Sequence, residues 1–419
     1  MTTAVVILNW NGRACLEAYL PSVTASLQGC DGVSVVVADN GSEDDSAAYV
    51  KENFPQVQWI QLRRNYGFAE GYNRALKSLD SDCFLLLNSD VKVENGWFEP
   101  LQEWMELHPD CGICGPKLHM TGEKSKFFEY SGAAGGYLDC YGYPFCRGRV
   151  MGRVEEDEGQ YDIPAEVFWV SGAALMVRRE VFVGARGFCN DFFAHMEEID
   201  LCWRVRADGW KVHIVPRSVV YHEGGATLPA SSPFKSRLNF RNNLLMLERN
   251  LPFTLALHCF YNFLAVGVDE ETCQDLFAQC GNLYREIESA DRKSLLEGAA
   301  VISMKLTRIR LNFRQFLDFL SALVYLFSFR PKHFKAVMQA HREYRRMRRP
   351  VGKRELIAEL KNVVERRPEI ARVLLRESPC PGCLGERSFG IAGIWNKWTV
   401  WRSLTEKGAI FAHLRDTSL

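Results

Sequence analysis

Between residues 4 and 118 five short apolar runs, at 5–8, 33–38, 57–62, 83–87 and 112–116, are each separated by an amphipathic stretch. Runs of this length are too short for buried helices and apolar enough to be covered on both faces, which is the signature of parallel strands. The stretches between them, near 13–27, 44–53, 69–79 and 97–107, carry helical periodicity. Strand and helix in alternation predict an α/β fold, a doubly wound and mostly parallel sheet.

The polar residues sit where such a sheet would bind a ligand. Phe84-Leu85-Leu86-Leu87 stops abruptly at Asn88-Ser89-Asp90, an amide, a hydroxyl and a carboxylate. Asn9 to Gly12 follow the first run, and Asp39-Asn40-Gly41-Ser42 follow the second. Each cluster alone is good turn or helix-cap chemistry. In a parallel sheet, however, strand carboxyl ends share one edge, so the three clusters converge there. Asp90 at that edge suits a hard cation, and Asp39 suits a ligand's ring NH or hydroxyl.

Further along, residues 119–170 are rich in Gly and aromatics, including Gly132, Gly135, Gly136, Tyr137, Tyr141 and Tyr143, which predicts hairpins or a mobile loop over the site. A helix from near 196 to 209 opens with Glu197, Glu198 and Asp200. Carboxylates in a first turn are favoured by the helix dipole by ~0.3–1 kcal/mol each, so simple charge placement explains them. The uncharged approach Phe192-Phe193-Ala194-His195-Met196 adds a second reading, because apolar surroundings raise a carboxyl's pKa and make it a base. A short strand at 212–215 and the segment 219–225 follow, the latter containing His222 before Glu223-Gly224-Gly225. A lone His is more often structural than a ligand, yet a divalent ion held by Asp90 would accept an imidazole.

The chain's 419 residues exceed one typical domain. An amphipathic helix is expected over 233–249, and the character becomes helical after 251, with apolar segments at 251–268 and 316–329. We therefore read a catalytic domain over 1–250 and a helical C-terminal region over 251–419, serving acceptor binding, a membrane surface or oligomerisation. The 316–329 segment holds 14 residues including Asp318, too short and too polar to span a bilayer.

Charge excludes some partners. Lys+Arg and Asp+Glu both number 51, so the total announces no nucleic-acid binder. Locally, residues 330–354 carry ten Lys/Arg against one acid, Glu343. A solvated helix face accounts for this, and so does contact with an anionic membrane. Only Phe334 and Tyr344 could stack on bases there, which disfavours single-stranded nucleic acid.

The 14 cysteines include two CxxC pairs, Cys111/Cys114 in a strand-like stretch and Cys380/Cys383. Buried reduced thiols are the expectation for the former, and a metal or redox role is the weaker option for the latter. The N-terminal residues lack a basic stretch and a long apolar run, so a cytoplasmic chain is expected. Neither G-x-G-x-x-G after the first strand nor a G-x-x-x-x-G-K-[ST] loop occurs, which argues against a dinucleotide oxidoreductase and a P-loop phosphotransferase. Trp395, Trp398 and Trp401 have a spacing that suits packing.

Five stretches in order resemble the inverting family 2 nucleotide-sugar glycosyltransferases, especially their rhamnosyltransferase-like branch. They are Val5-Val6-Ile7-Leu8-Asn9-Trp10-Asn11-Gly12, Val36-Val37-Ala38-Asp39-Asn40-Gly41-Ser42, Asn65-Tyr66-Gly67-Phe68-Ala69-Glu70-Gly71-Tyr72-Asn73, Leu86-Leu87-Asn88-Ser89-Asp90 and Glu197-Glu198-Ile199-Asp200-Leu201-Cys202-Trp203-Arg204. The resemblance implies a glycosyltransferase A-type fold and transfer of a sugar from a nucleotide-diphosphate donor to a saccharide or lipid-linked acceptor in cell-surface polysaccharide biosynthesis.

It also implies roles. Asn11 lies in the first matching stretch, beside the donor. Asp39 would contact the base, Asn65 and Asn73 would shape the donor pocket, and Asp90 would hold Mg²⁺ or Mn²⁺ on the diphosphate. His222 resembles a further metal ligand of some relatives, and Arg241-Asn242 resembles a pair near the diphosphate and acceptor. The family's base, the second acid of a Glu-Asp pair, falls on Glu198, with Glu197 and Asp200 as alternatives because this chain has Glu where relatives have Asp. Asn88 likewise stands where a full DxD has its first Asp. Two rival readings are a non-catalytic nucleotide-sugar-binding module and a metal-dependent nucleotidyltransferase. The latter would want a Lys/Arg-rich loop after the first strand, where only Arg13 is found.

Overall fold

A computed structural model describes residues 1–130, 132–139, 141–150, 153–224, 231–264 and 292–366. Cys380, Cys383, Gly225 and the three tryptophans of the tail lie outside the described residues. The chain divides into two compact units, one of residues 1–137 and 144–229, the other of 138–143 and the residues from 230 onward.

The first unit begins with β1 (Thr3–Asn9), α1 (Arg13–Ser26), β2 (Val33–Asp39), α2 (Ser46–Asn53), β3 (Gln58–Gln61), α3 (Gly67–Leu76) and β4 (Cys83–Asn88). These are the strands and helices that the alternating pattern predicts. β1 pairs in parallel with both β2 and β4, and β2 with β3. Ala4 to Ile7 and Cys83 to Leu87 are buried throughout, as strands covered on two faces must be. Each such Leu or Ile removed from water contributes ~1.5–3 kcal/mol. Tyr72 of α3 is fully buried, and its hydroxyl donates to the backbone carbonyls of Val6 and Leu87, tying the helix to the β1/β4 seam.

Beyond β4 come β5 (Val91–Val93), α4 (Glu99–Leu107) and β6 (Cys111–Met120). Cys111 and Cys114 are buried strand thiols, as expected. The described residues of the Gly- and aromatic-rich segment include a small four-stranded sheet of β7 (Gly136–Leu138), β8 (Pro144–Cys146), β9 (Arg149–Val150) and β10 (Arg153–Val154), in which β9 pairs antiparallel with both β8 and β10. β11 (Ala165–Glu166), β12 (Ala174–Arg178), α5 (Arg179–Gly184), α6 (Glu197–Ala207) and β13 (Lys211–His222) follow. The two short strand segments read around 212–225 are one strand, β13, with a register shift between Val215 and Val219.

Among the described residues the main sheet has nine strands in the order β11-β13-β6-β12-β4-β1-β2-β3, with β5 pairing β13. β12 runs antiparallel between β4 and β6, so these two remain parallel to one another and end on the same edge as β1 and β2. The sheet is doubly wound and α/β as the sequence predicts, with antiparallel strands added around β12 and β13.

The second unit is helical: α7 (Pro233–Leu264), α8 (Arg292–Phe327), α9 (Pro331–Met347) and a final helix, Lys353–Arg366. The 233–249 and 251–268 expectations merge into α7, whose described part ends at Leu264. The 316–329 segment is the last third of α8, with Asp318 fully buried and paired to Arg314 at 2.8 Å. Segment 138–143 belongs to this unit because Gly142 O accepts from Asn243 Nδ2 at 2.6 Å and the Arg314 guanidinium lies 3.5 Å from the Tyr143 ring centre. Among the described residues no helix is long and apolar enough to cross a membrane.

Candidate active site

Register places the polar stops side by side. Asn9 of β1 pairs with Asp39 of β2, and Leu8 with Asn88 of β4, so three sequence clusters share one level of the sheet edge. Asp39 is almost fully buried, and its carboxylate is occupied: Oδ1 accepts from Asn9 Nδ2 at 3.0 Å, while Oδ2 accepts from Ser42 N at 2.9 Å and Gln61 Nε2 at 2.6 Å. Gln61, at the end of β3, was not singled out in the sequence, because β3 carries polar residues at both ends.

Asn11 adopts a positive φ of 48° and spends its side-chain oxygen on Glu43 N at 2.8 Å, pinning the first turn to the second. Gly12 is required there, since a Cβ would lie 2.4 Å from Asn9 Oδ1. Asn65 Oδ1 accepts from Asn40 Nδ2 and Gly67 N, closing the loop before α3. Asn73 reaches the other way: Nδ2 donates to Phe188 O at 2.8 Å and to Asn190 Oδ1 at 2.7 Å, and Oδ1 accepts from Phe188 N at 2.9 Å. Both asparagines thus organise the loops that lead into the site.

The β5–β13 ladder brings the distant histidine to the strand stop. His222 pairs with Val91, and Glu223 N donates to Asp90 O at 3.1 Å. As a result His222 Nε2 lies 3.3 Å from Asp90 Oδ1 and 3.5 Å from Asn88 Nδ2. On the other side of the ring, Nδ1 faces Glu129 Oε1 at 3.6 Å, too long for a hydrogen bond, and Nδ1 is buried without a hydrogen-bond partner. Burial alone would pull the imidazole down, but Asp90 and Glu129 more than offset it and push its pKa up to about 10. Glu129 escaped the sequence reading because it stands between Phe128 and Tyr130 in a segment without periodicity.

The acidic helix approaches from downstream. Before α6 the backbone takes positive φ at Phe193 (64°), His195 (71°) and Met196 (73°), a sharp turn that aims Glu197 and Glu198 back at the sheet edge. The turn is held by α3: Phe68 N and Ala69 N both donate to Phe193 O, at 2.6 and 3.2 Å. Gly67, at φ 78°, makes this approach possible, because a Cβ there would lie 2.5 Å from the Phe193 ring. Gly67→Ala should therefore cost ~1–3 kcal/mol and lower turnover as the turn shifts. Urea unfolding and initial rates check this; an unchanged midpoint and rate would remove the packing argument.

The three candidate bases differ in state. Asp200 is fully buried and accepts from Arg204 Nε at 2.8 Å. Glu197 is buried, and desolvation, with the Glu198 charge next, raises its pKa well above the carboxylate range. Glu198 is partly exposed, its Oε2 lacks a hydrogen-bond partner, and burial raises its pKa to about 7 against the opposing backbone NH groups at the helix start. Its Cβ stands 3.5 Å from where a Cβ on Gly172 would be, just ahead of β12 and so at the sheet edge beside β4.

Arg241 and Asn242 lie in α7 of the second unit. Both are buried, Arg241 Nε donates to Asn242 Oδ1 at 2.9 Å, and the guanidinium pairs with Glu343 at 3.4 Å.

A sheet edge carrying an anionic, imidazole-bearing pocket and a carboxyl poised near neutrality has the chemistry to hold a cation and to accept a proton. Residues 4–183 match the family model described as Glycosyl transferase family 2. The chain is 26% identical over 238 residues to N-acetylglucosaminyl-diphospho-decaprenol L-rhamnosyltransferase of Mycobacterium tuberculosis, covering 53% of this chain and 76% of the relative. It is 24% identical over 214 residues to rhamnosyltransferase WbbL of Escherichia coli, covering 49% and 79% respectively. Among solved structures, mannosyltransferase PcManGT from Pyrobaculum calidifontis, in complex with GDP-Man and Mn²⁺, matches with a TM-score of 0.43 and 13% identity over 82% of this chain and 86% of that one.

Proposed function

We propose that the protein is an inverting, metal-dependent glycosyltransferase that moves a hexosyl or deoxyhexosyl group from a nucleotide-diphosphate sugar to a hydroxyl of a saccharide, carried on a lipid, in cell-surface polysaccharide synthesis at the cytoplasmic face of the membrane. The observation that carries it is the convergence of Asp39, Asp90, His222 and Glu198 on one sheet edge. The similarity to a decaprenol-linked rhamnosyltransferase supports the choice of acceptor class.

Asp39, locked by Asn9, Ser42 and Gln61, sets the floor on which the base of the nucleotide is read. Asp90 and His222 are the residues that would hold Mg²⁺ or Mn²⁺. The pocket fits such an ion: Asp90 Oδ1 and His222 Nε2 face each other at 3.3 Å, and a cation held between them would take the place of the proton that Asp90 and Glu129 otherwise keep on the imidazole. Among the described residues no group of three or more His, Cys, Asp or Glu forms a complete cage, so the remaining ligands would come from diphosphate and water, as Mg²⁺ tolerates. When bound, the cation offsets the charge that gathers on the departing diphosphate. Arg241 and Asn242 are assigned to the diphosphate and acceptor by family resemblance alone.

Glu198 is the base in this reading. Burial and the Glu198 charge favour the neutral form of Glu197, and Asp200 is fully buried and held by Arg204, so Glu198, the partly exposed one of the three, is the carboxyl an acceptor can reach. The Glu198 carboxylate accepts the acceptor's hydroxyl proton while that oxygen bonds to the anomeric carbon. The bond from anomeric carbon to diphosphate oxygen breaks with its electron pair, releasing the nucleoside diphosphate. One displacement inverts the configuration.

Asp90→Asn should weaken Mn²⁺ binding, followed by electron paramagnetic resonance, and cut nucleoside diphosphate release by ~10²-fold or more across a panel of nucleotide sugars. Equal turnover by variant and wild type would remove Asp90 from the site.

A further inference from the structure

We propose that α8 and α9 of the second unit form a docking surface for an anionic lipid bilayer. The outer face of α8 is apolar. Ile309, Phe313, Phe316, Leu320 and Phe327 are 63, 42, 54, 42 and 77% exposed. Their spacings of four, three, four and seven residues put all five on one helical stripe, running ~27 Å at 1.5 Å per residue. The opposite face of the same helix is also apolar, with Ala300, Leu311 and Ala322 buried. A soluble helix needs only the inner stripe, and a contiguous outer one marks an interaction surface.

What covers the stripe follows from its border. After the turn at Ser328–Arg330, where Phe329 is 94% exposed, α9 presents a different exposed face. Lys332, Lys335, Arg342, Arg345 and Arg346, with Arg349 just beyond the helix, are all exposed, and none makes an ion pair among the described residues. The nearest acid in sequence, Glu343, is turned inward to Arg237 and Arg241. An apolar stripe on one helix followed, across a three-residue turn, by unneutralised cations on the next has the two chemistries of an interfacial surface, acyl chains for one and anionic headgroups for the other.

A second copy is a poorer occupant, because a self-complementary contact through this face would bring like charges together. Nucleic acid would use the cations but leave the aliphatic and phenylalanine stripe unexplained. The surface lies within the helical unit and stands independently of the reading of the sheet-edge site.

The experiment is flotation of the full chain with vesicles of phosphatidylcholine alone or mixed with phosphatidylglycerol, at low and high salt. The expected result is capture by the mixed vesicles only, released by salt. Phe313→Ser/Phe316→Ser/Phe327→Ser and, separately, Lys332→Glu/Lys335→Glu/Arg346→Glu should each lower the partition coefficient about tenfold or more. Circular dichroism and nucleoside diphosphate release from the donor in the presence of a water-soluble acceptor should match wild type, which separates lost docking from lost folding. Equal capture by neutral and anionic vesicles, or capture unaffected by either triple variant, would overturn the proposal. So would self-association on ultracentrifugation that the phenylalanine variant abolishes, without vesicle binding.

Discussion

Replacing Glu198 by Gln should lower turnover by ~10²–10⁴-fold while leaving donor binding intact and making the protein more stable. The two effects have one cause. Burial lifts the Glu198 pKa from 4.5 to about 7, so the folded protein holds this proton more tightly than the unfolded chain does. Between those two values the native state binds more protons than the unfolded state, and stability falls as pH rises. Above about 7 the loss is complete, ~1–3 kcal/mol after discounting for the side chain's partial exposure. Gln carries no charge, so the gap between variant and wild type should open from pH 4.5 to 7 and then level off. Activity runs in the opposite sense: kcat/KM of the wild type should climb with pH through about 7 and plateau, because only the carboxylate can accept a proton. Glu197→Gln should keep most of the turnover, since burial and the Glu198 charge favour the neutral form of that carboxyl. Surviving activity in Glu198→Gln with loss in Glu197→Gln would exchange their roles, and loss in neither would move the base elsewhere.

The parts of this site that were legible in the sequence are those in which chemistry follows directly on periodicity. Asp39 and Asp90 each end an apolar run, and a parallel sheet leaves those ends no place but a shared edge. Glu198 was legible for a related reason, as an acid at a helix start behind an uncharged approach. Gln61 and Glu129 were not. Their partners lie 22 and 93 positions away, at Asp39 and His222, and neither sits in a patterned run. The Glu129 contact depends on where the Gly- and aromatic-rich segment folds, which no 2.0 or 3.6 period encodes. The antiparallel β12 was hidden likewise, because a strand's direction is set by its connections and not by its composition. In the second unit the basic stretch was plain, but the outward apolar stripe of α8 was not, since a helix with two apolar sides does not say in sequence which one is covered.

Asp318→Ala should lower the unfolding free energy of the helical unit by ~3–5 kcal/mol, and Arg314→Ala by a similar amount. Both side chains are almost wholly inaccessible, 2.8 Å apart on successive turns of α8. Each also holds something else. Arg314 Nη1 donates to Asn243 Oδ1 at 2.6 Å on α7 and to Tyr141 O at 3.3 Å, while Asp318 accepts from Tyr143 Oη at 3.4 Å and lies 3.3 Å from His341 Nε2 on α9. Removing the carboxylate therefore strands a buried guanidinium and loosens three segments at once, and that uncompensated charge is the larger part of the cost. The single and double variants separate the two parts. Arg314→Met with Asp318→Leu removes both charges and keeps the volume, so it should recover most of the lost stability, as buried pairs commonly do when replaced together. Urea unfolding of the three proteins reads this directly. If the double variant were as unstable as the single ones, the network's hydrogen bonds to Asn243 and Tyr141, and not the charge balance, would be what holds residues 138–143 to the helices.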